Sequence, residues 1–245
     1  VELLRNIKQE WWQFMVYQRD NVVGLDAAII MNPQVWQASG HVDAFTDPLV
    51  ECKKCHKRFR ADQLPEEACT DASAHEFTDP KVFNLLTEVY LGVTEPKTKA
   101  YLRGEITQGV FVNFQNVVSS TRVKIPFGIA QIGKAFRNEI TPGNFTFRSR
   151  EFEQMELEFF IKADEAEGKQ WFEYWKQQRL DWYTGLGMDK THLRFREHAP
   201  DERAHYARAA EDIEYQSPFG WKEFEGIHHR GDWDLSRHHL PYKDE

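Results

Sequence analysis

Between Ala135 and Phe160 the chain reads AFRNEITPGNFTFRSREFEQMELEFF. Arginine offers a planar fork of donors suited to phosphate, a carboxylate accepts from an amine or holds Mg2+, and an aromatic ring presents a face to a base. Here these residue types alternate with apolar ones at strand spacing, where residues two apart share a face. On the first strand Gln131, Gly133, Ala135, Arg137 and Glu139 lie opposite Ile132, Phe136 and Ile140. On the second, Arg148, Arg150, Phe152, Gln154, Glu156 and Glu158 lie opposite Met155, Leu157 and Phe159. The turn TPGNF predicts an antiparallel hairpin that joins the two charged faces into one surface. That surface suits a charged, planar ligand such as a nucleotide. From residue types alone, the alternative is a solvated face laced with cross-strand salt bridges.

The elements that must position these residues are legible by periodicity. Leu3, Leu4, Ile7, Trp11, Phe14 and Met15 recur at helical spacing, with Val1 already inside the helix, so the chain is either a fragment or trimmed at its start. Val22–Ile30 reads as a strand, and MNPQVWQASGH as turn, short helix and loop. Residues 49–80 are polar and rich in Cys and Lys, which marks an insertion, and 94–100 reads as a linker. ITQGVFVNFQNVVSS predicts a helix, and IPFGIAQIGKAFRNEI a buried strand interrupted by small residues. Residues 165–187 form an aromatic-rich helix, and the tail from Leu193 mixes short strands with a helix near Glu202–Ala210.

Composition bounds the rest. With 245 residues, 41% of them hydrophobic, the chain can bury a sizeable core as one large domain or two small ones. No apolar run approaches the roughly 20 residues that span a bilayer, and the amphipathic start is no secretory signal, so a cytoplasmic protein without a membrane partner is expected. A net charge of −8 disfavours coating nucleic acid by bulk electrostatics, though not a local basic patch. Three cysteines in such a chain suit reduced thiols or a metal clip rather than a disulfide framework.

FRNE at 136–139 and RSREFEQMELEFF at 148–160 resemble the second signature motif of class II aminoacyl-tRNA synthetases, and in detail that of the dimeric-type glycyl-tRNA synthetase family. The resemblance extends, in order, through WWQFMVYQRDNVVGLDAAIIMNPQVWQASGHVDAFTDPLVECKKCHKRFRADQL, YLRGEITQGVFVNFQNV, LRFREH and DIEYQSPFGWKEFEGI. It implies an α+β class II core over residues 1–245, an antiparallel sheet flanked by helices, with the small Cys-containing insertion at 49–80. It also implies condensation of glycine and ATP, with Mg2+, to glycyl-adenylate and transfer to tRNA(Gly) at its acceptor stem. A homodimer built on the N-terminal helix and the following strand belongs to the same expectation.

Position by position, the resemblance implies that Arg137 meets the α-phosphate, Glu139 the adenine amino group, Phe152 the adenine face and Arg148 the terminal phosphates. Glu105 and Glu156 would hold the glycine ammonium, Arg230 its carboxylate, and Glu223 phosphate through Mg2+. Where the family reads R-P-E-T-A-Q-G, this chain has Arg103-Gly104-Glu105-Ile106-Thr107-Gln108-Gly109, which predicts a looser loop beside Glu105. Where it reads I-A-D-R-T-D or I-A-N-R-T-D, this chain has Ile227-His228-His229-Arg230-Gly231-Asp232. The chain ends at Glu245, ahead of the family's third motif and anticodon-binding domain, as a piece of a longer enzyme or a reduced relative. Two other readings stand beside the ligase: a non-catalytic paralogue that binds nucleotide, amino acid or RNA, and a dimerisation relic.

Cys52-x-x-Cys55 is half of a zinc ribbon, and many family members have a second C-x-x-C near Cys69. Ala72 occupies the fourth ligand position here, leaving His75 or His56 to complete a Cys3His zinc site, against a metal-free insertion. The basic run at 53–60 either meets tRNA phosphates or is solvated. The pairs His228–His229 and His238–His239 make poor chelates, since strand neighbours point to opposite faces.

Overall fold

The computed structural model describes residues 1–62, 64, 67–70, 73–143, 147–204 and 206–238. They fall into two compact units: Val1–Gly24, Phe114–Ala130 and Leu157–Glu245 form the first, Leu25–Asn113 and Gln131–Glu156 the second. No helix among the described residues is long and apolar enough to cross a membrane.

In the first unit, α1 (Glu2–Trp12) continues as a π-helical turn through Tyr17. Its apolar stripe divides: Trp11 and Met15 are buried, whereas Leu3 and Leu4 stay exposed. Trp12 lies against Gly24 of β1 (Val22–Gly24), where any side chain would overlap the indole. Val22–Gly24 pairs in parallel with Gly128–Ala130 of β8 (Phe127–Phe136), and the sheet order is β1, β8, β9 (Glu151–Phe160). The expected all-antiparallel sheet thus contains one parallel pair.

α5 (Glu165–Gly185) begins where the Asp164 side chain accepts from the Glu167 N–H, and the chain leaves it through Gly187 at φ 92°. It buries Trp175, Arg179 and Trp182, spaced four and three residues apart on one face. β10 (Leu193–Glu197), β11 (Ala209–Ser217) and β12 (Gly220–His229) form an antiparallel sheet, followed by the short α6 (Trp233–Arg237).

The helix expected at 202–210 does not form among the described residues. Ala209 and Ala210 ladder with His229 and His228 of β12 instead. Arg203 donates to the carbonyls of His198 and Arg208, which holds the segment as a loop. Tertiary pairing overrides the helix propensity of Ala and Glu here. His228 and His229 do take opposite faces: His228 lies near Tyr206, and His229 packs on Gly168. His239 lies outside the described residues.

In the second unit, β2 (Ile30–Met31), β7 (Thr98–Leu102) and β6 (Thr87–Leu91) form one antiparallel sheet. The predicted strand at 22–30 is therefore two short strands, and the predicted linker at 94–100 runs into a hairpin strand. α2 (Pro33–Ala38) starts with proline at its first turn and Asn32 as side-chain cap. Its Trp36 is fully buried with Met31, Leu86 and Tyr101. α3 (His41–Ala44) follows Gly40, whose φ of 84° favours glycine. β3 (Thr46–Glu51) is flanked by β4 (Arg58–Arg60) and β5 (Lys81–Asn84), so the Cys-rich segment hangs from a sheet of its own. α4 (Thr107–Thr121) begins in this unit.

The central hairpin departs from expectation in two ways. Its strands end at Phe136 and begin again at Glu151, so Arg137, Glu139 and Arg148 project from the connection and not from the ladder. The Arg137 N–H still donates to the Arg150 carbonyl at 3.0 Å, but the next N–H, of Asn138, turns to Leu85 O at 2.8 Å. Asn144 and Phe145 of the expected turn lie outside the described residues.

The polar face, moreover, is the covered one. Gln131 is fully buried, with Oε1 accepting from the Ala27 N–H and Nε2 donating to Ile106 O. Arg103, 1% exposed, occupies the space that a side chain at Gly133 would fill. Lys134, on the opposite face, makes an exposed ion pair with Glu151.

Candidate active site

Arg137 leaves the end of β8 with its Nε donating to Gly104 O at 3.1 Å. Its guanidinium lies 5.0 Å from the Phe45 ring centroid and 5.2 Å from that of Phe152, flanked by two aromatic faces. Glu139 is buried, and its Oε2 accepts from Arg148 Nη1 at 3.2 Å, while its carbonyl accepts from Arg150 Nε. The pair expected to divide between adenine and terminal phosphates is thus joined to itself in this structure.

Where β7 gives way to α4, around residues 103–108, the second group of carboxylates assembles. Glu105, 8% exposed, receives Gln108 Nε2 at 3.1 Å and faces His41 Nε2 at 3.3 Å, both on Oε1. The Thr107 hydroxyl donates to Glu156 Oε2. Beneath them Arg103 donates from Nε to Lys134 O at 2.6 Å and from Nη1 to Ala27 O at 2.8 Å. Burial lowers its pKa from the usual arginine value, opposed by the charges of Asp26 and Glu156.

Beside Glu105, where the sequence predicts a looser loop, the backbone packs closely against neighbouring side chains. Gly104 is enclosed, with Phe45 and Leu86 so close that a Cβ would meet them at 2.9 and 3.1 Å.

Arg137, Glu139, Arg148, Phe152, Glu105 and Glu156 all belong to the second unit. Glu223 and Arg230 belong to the first. Glu223 is exposed on β12 opposite Glu214. Arg230 is bound by Asp234 through Nε and Nη2 at 2.7 and 3.0 Å and stacks 3.6 Å from the Tyr206 ring centroid.

The metal candidates resolve sharply. The ligand atoms of Cys52, Cys55, Cys69 and His75 lie within 4.8 Å of one another, with Cys52 and Cys69 sulfurs 3.8 Å apart and Cys55 Sγ 3.7 Å from His75 Nδ1. Tetrahedral bonds of about 2.3 Å to sulfur would place two sulfurs roughly 3.8 Å apart. His56 is excluded from this cluster: at φ 57° it turns outward to Glu51. Burial disfavours the Cys52 thiolate, yet hydrogen bonds from the Cys55 backbone, the His75 side chain and the Lys54 and Glu76 backbones outweigh it and bring the thiol down to about 5.

The basic run beside this cluster is engaged within the unit. Lys53 pairs with Glu76, Lys54 donates to Ser73, Arg58 pairs with Glu51, and Arg60 binds both Asp47 and Asp62. Burial raises the Asp47 carboxyl above its usual range, against the pull of Arg60. Thr141, on the connection after β8, donates to Arg58 O, so the insertion touches that connection.

His41, Phe45, Arg103 and Gln108 were given no role by sequence reasoning. The signal for His41 was a histidine in SGH lying between the aromatic residues Trp36 and Phe45.

No family model matches the chain. It is similar to glycine–tRNA ligases of Treponema denticola (52% identity, 97% of this chain, 53% of the relative) and Geobacillus thermodenitrificans (50%, 97% and 57%). The Streptomyces coelicolor glycine–tRNA ligase is 51% identical over 97% of this chain and 56% of its own length. The chain spans about half the length of the curated relatives it matches. With half of all aligned positions identical across nearly its whole length, the chain belongs by sequence to the glycine–tRNA ligase family.

Proposed function

We propose that the second unit carries a class II-type site that activates glycine with ATP, forming glycyl-adenylate for transfer to tRNA(Gly). The observation that carries this reading is the grouping, in one unit, of a flanked arginine at 137 with the carboxylates Glu105, Glu139 and Glu156. In the reaction, the glycine carboxylate attacks the α-phosphorus and the bond to pyrophosphate breaks. Arg137 meets the α-phosphate oxygens as their charge changes, Phe152 stacks on adenine, and Glu139 and Arg148 exchange their mutual pair for the adenine amino group and terminal phosphates. Mg2+, when bound with ATP, neutralises phosphate charge. Glu105 and Glu156 hold the ammonium. Positioning and charge neutralisation supply the acceleration without a covalent enzyme intermediate.

The test is glycine-dependent exchange of pyrophosphate into ATP by this chain. Turnover is expected with glycine, not with alanine or serine, and Glu156→Gln should lower its efficiency with glycine about ten- to hundredfold, the cost of losing one charge-assisted contact to the ammonium at roughly 1.5–3 kcal/mol. Absence of exchange with every amino acid refutes the activation reading, and equal exchange with alanine refutes glycine selectivity.

The Cys3His cluster fits a zinc ion by donor type and spacing, and we assign it a structural role. Four protein donors close a tetrahedral site and leave no position for substrate.

A homodimer is proposed through α1, where Leu3 is 73% and Leu4 49% exposed. The tandem tryptophans do not add to that surface, because Trp11 is buried and Trp12 packs on Gly24. Light scattering at micromolar concentration should give twice the chain mass; a monomer sinks the proposal.

A further inference from the structure

We infer that His41 is a positioning residue for amino-acid binding: it fixes the carboxylate of Glu105, and through it the seat of the substrate ammonium. This rests on the glycine-activation reading above. His41 is buried at the start of α3, following the left-handed Gly40. Its ring meets Trp36 edge-on at 5.2 Å between centroids and is tilted against Phe45 at 5.3 Å, so it has little freedom to turn. Ser39 Oγ lies 2.8 Å from Nδ1, and Glu105 Oε1 lies 3.3 Å from Nε2.

The tautomer follows from these partners. A buried carboxylate oxygen opposite an unprotonated ring nitrogen would set two lone pairs against each other, so Nε2 carries the proton and donates to Glu105. Nδ1 then accepts from the Ser39 hydroxyl, or donates to it if the ring is doubly protonated. Gln108 Nε2 addresses the same Oε1. Two donors on one oxygen set the rotation of the carboxylate, as a ligand's supporting partners do at other binding sites. Phe45 also lies beside the Arg137 guanidinium, so one ring buttresses both His41 and Arg137.

Pyrophosphate exchange by the full chain tests this through the separate KM values for glycine and ATP. His41→Leu removes the donor and should raise the glycine KM about tenfold with the ATP KM within about twofold, as expected for loss of one charge-assisted contact on one substrate's side. His41→Gln returns an amide donor and should bring the glycine KM back to within about threefold of the parent. If His41→Leu melts at assay temperature, Ser39→Ala and His41→Gln carry the comparison: the first should raise the glycine KM alone, the second should not.

An unchanged glycine KM, or glycine and ATP KM values rising together in a parent-like folded variant, overturns the assignment while leaving the activation reading intact. A parent chain with no exchange overturns the activation reading, and this inference with it.

Discussion

Arg137→Ala will weaken ATP binding by the chain about ten- to hundredfold, the worth of a charge-assisted hydrogen bond at roughly 1.5–3 kcal/mol. The arginine is held by the protein's own groups. Its backbone N–H is fixed to Arg150 O, its Nε to Gly104 O, and its guanidinium lies between Phe45 and Phe152. Little side-chain entropy remains to be lost on binding, so the contact should show most of its strength. Arg137→Lys should recover only part of the affinity, because a point charge cannot reproduce the fork or stack between two rings. Isothermal calorimetry with ATP and Mg2+ measures both; affinity unchanged in Arg137→Ala removes Arg137 from the site.

The second large effect is expected at the cysteine cluster. Reconstituted chain should hold one zinc per molecule, and cobalt in its place should give the absorption of a tetrahedral, thiolate-rich site. Cys69→Ser removes one of four ligands from a site whose total binding free energy is typically about 10–16 kcal/mol, so affinity should fall by at least about 10²-fold. His75→Ala should act similarly, and His56→Ala should change nothing, since His56 faces Glu51. Metal content well below one per chain after reconstitution, or equal loss on replacing His56, would discard the assigned ligand set.

Residue types made the arginine and carboxylate constellation legible, because phosphate and ammonium demand those groups whatever holds them. Strand parity also placed Gln131, Gly133 and Ala135 on one face. It could not say what lies over that face: the cover is the segment from Arg103 to Ile106, more than twenty residues earlier in the chain. The same limit hid His41, whose partner Glu105 is sixty-four positions away. Spacing left His56 and His75 equivalent as ligands, and the backbone conformation at 56 separates them. At 202–210 local propensity pointed to helix, but a cross-strand ladder available only in the folded sheet took the alanines.

The space above Gly133 is filled by a guanidinium reaching across from another part of the chain, which ties the residue choice at position 133 to that at position 103. A side chain introduced at 133 evicts Arg103, and a shorter residue at 103 opens a hole while orphaning the carbonyls of Lys134 and Ala27. The two positions are therefore energetically coupled, and the costs of changing each do not simply add.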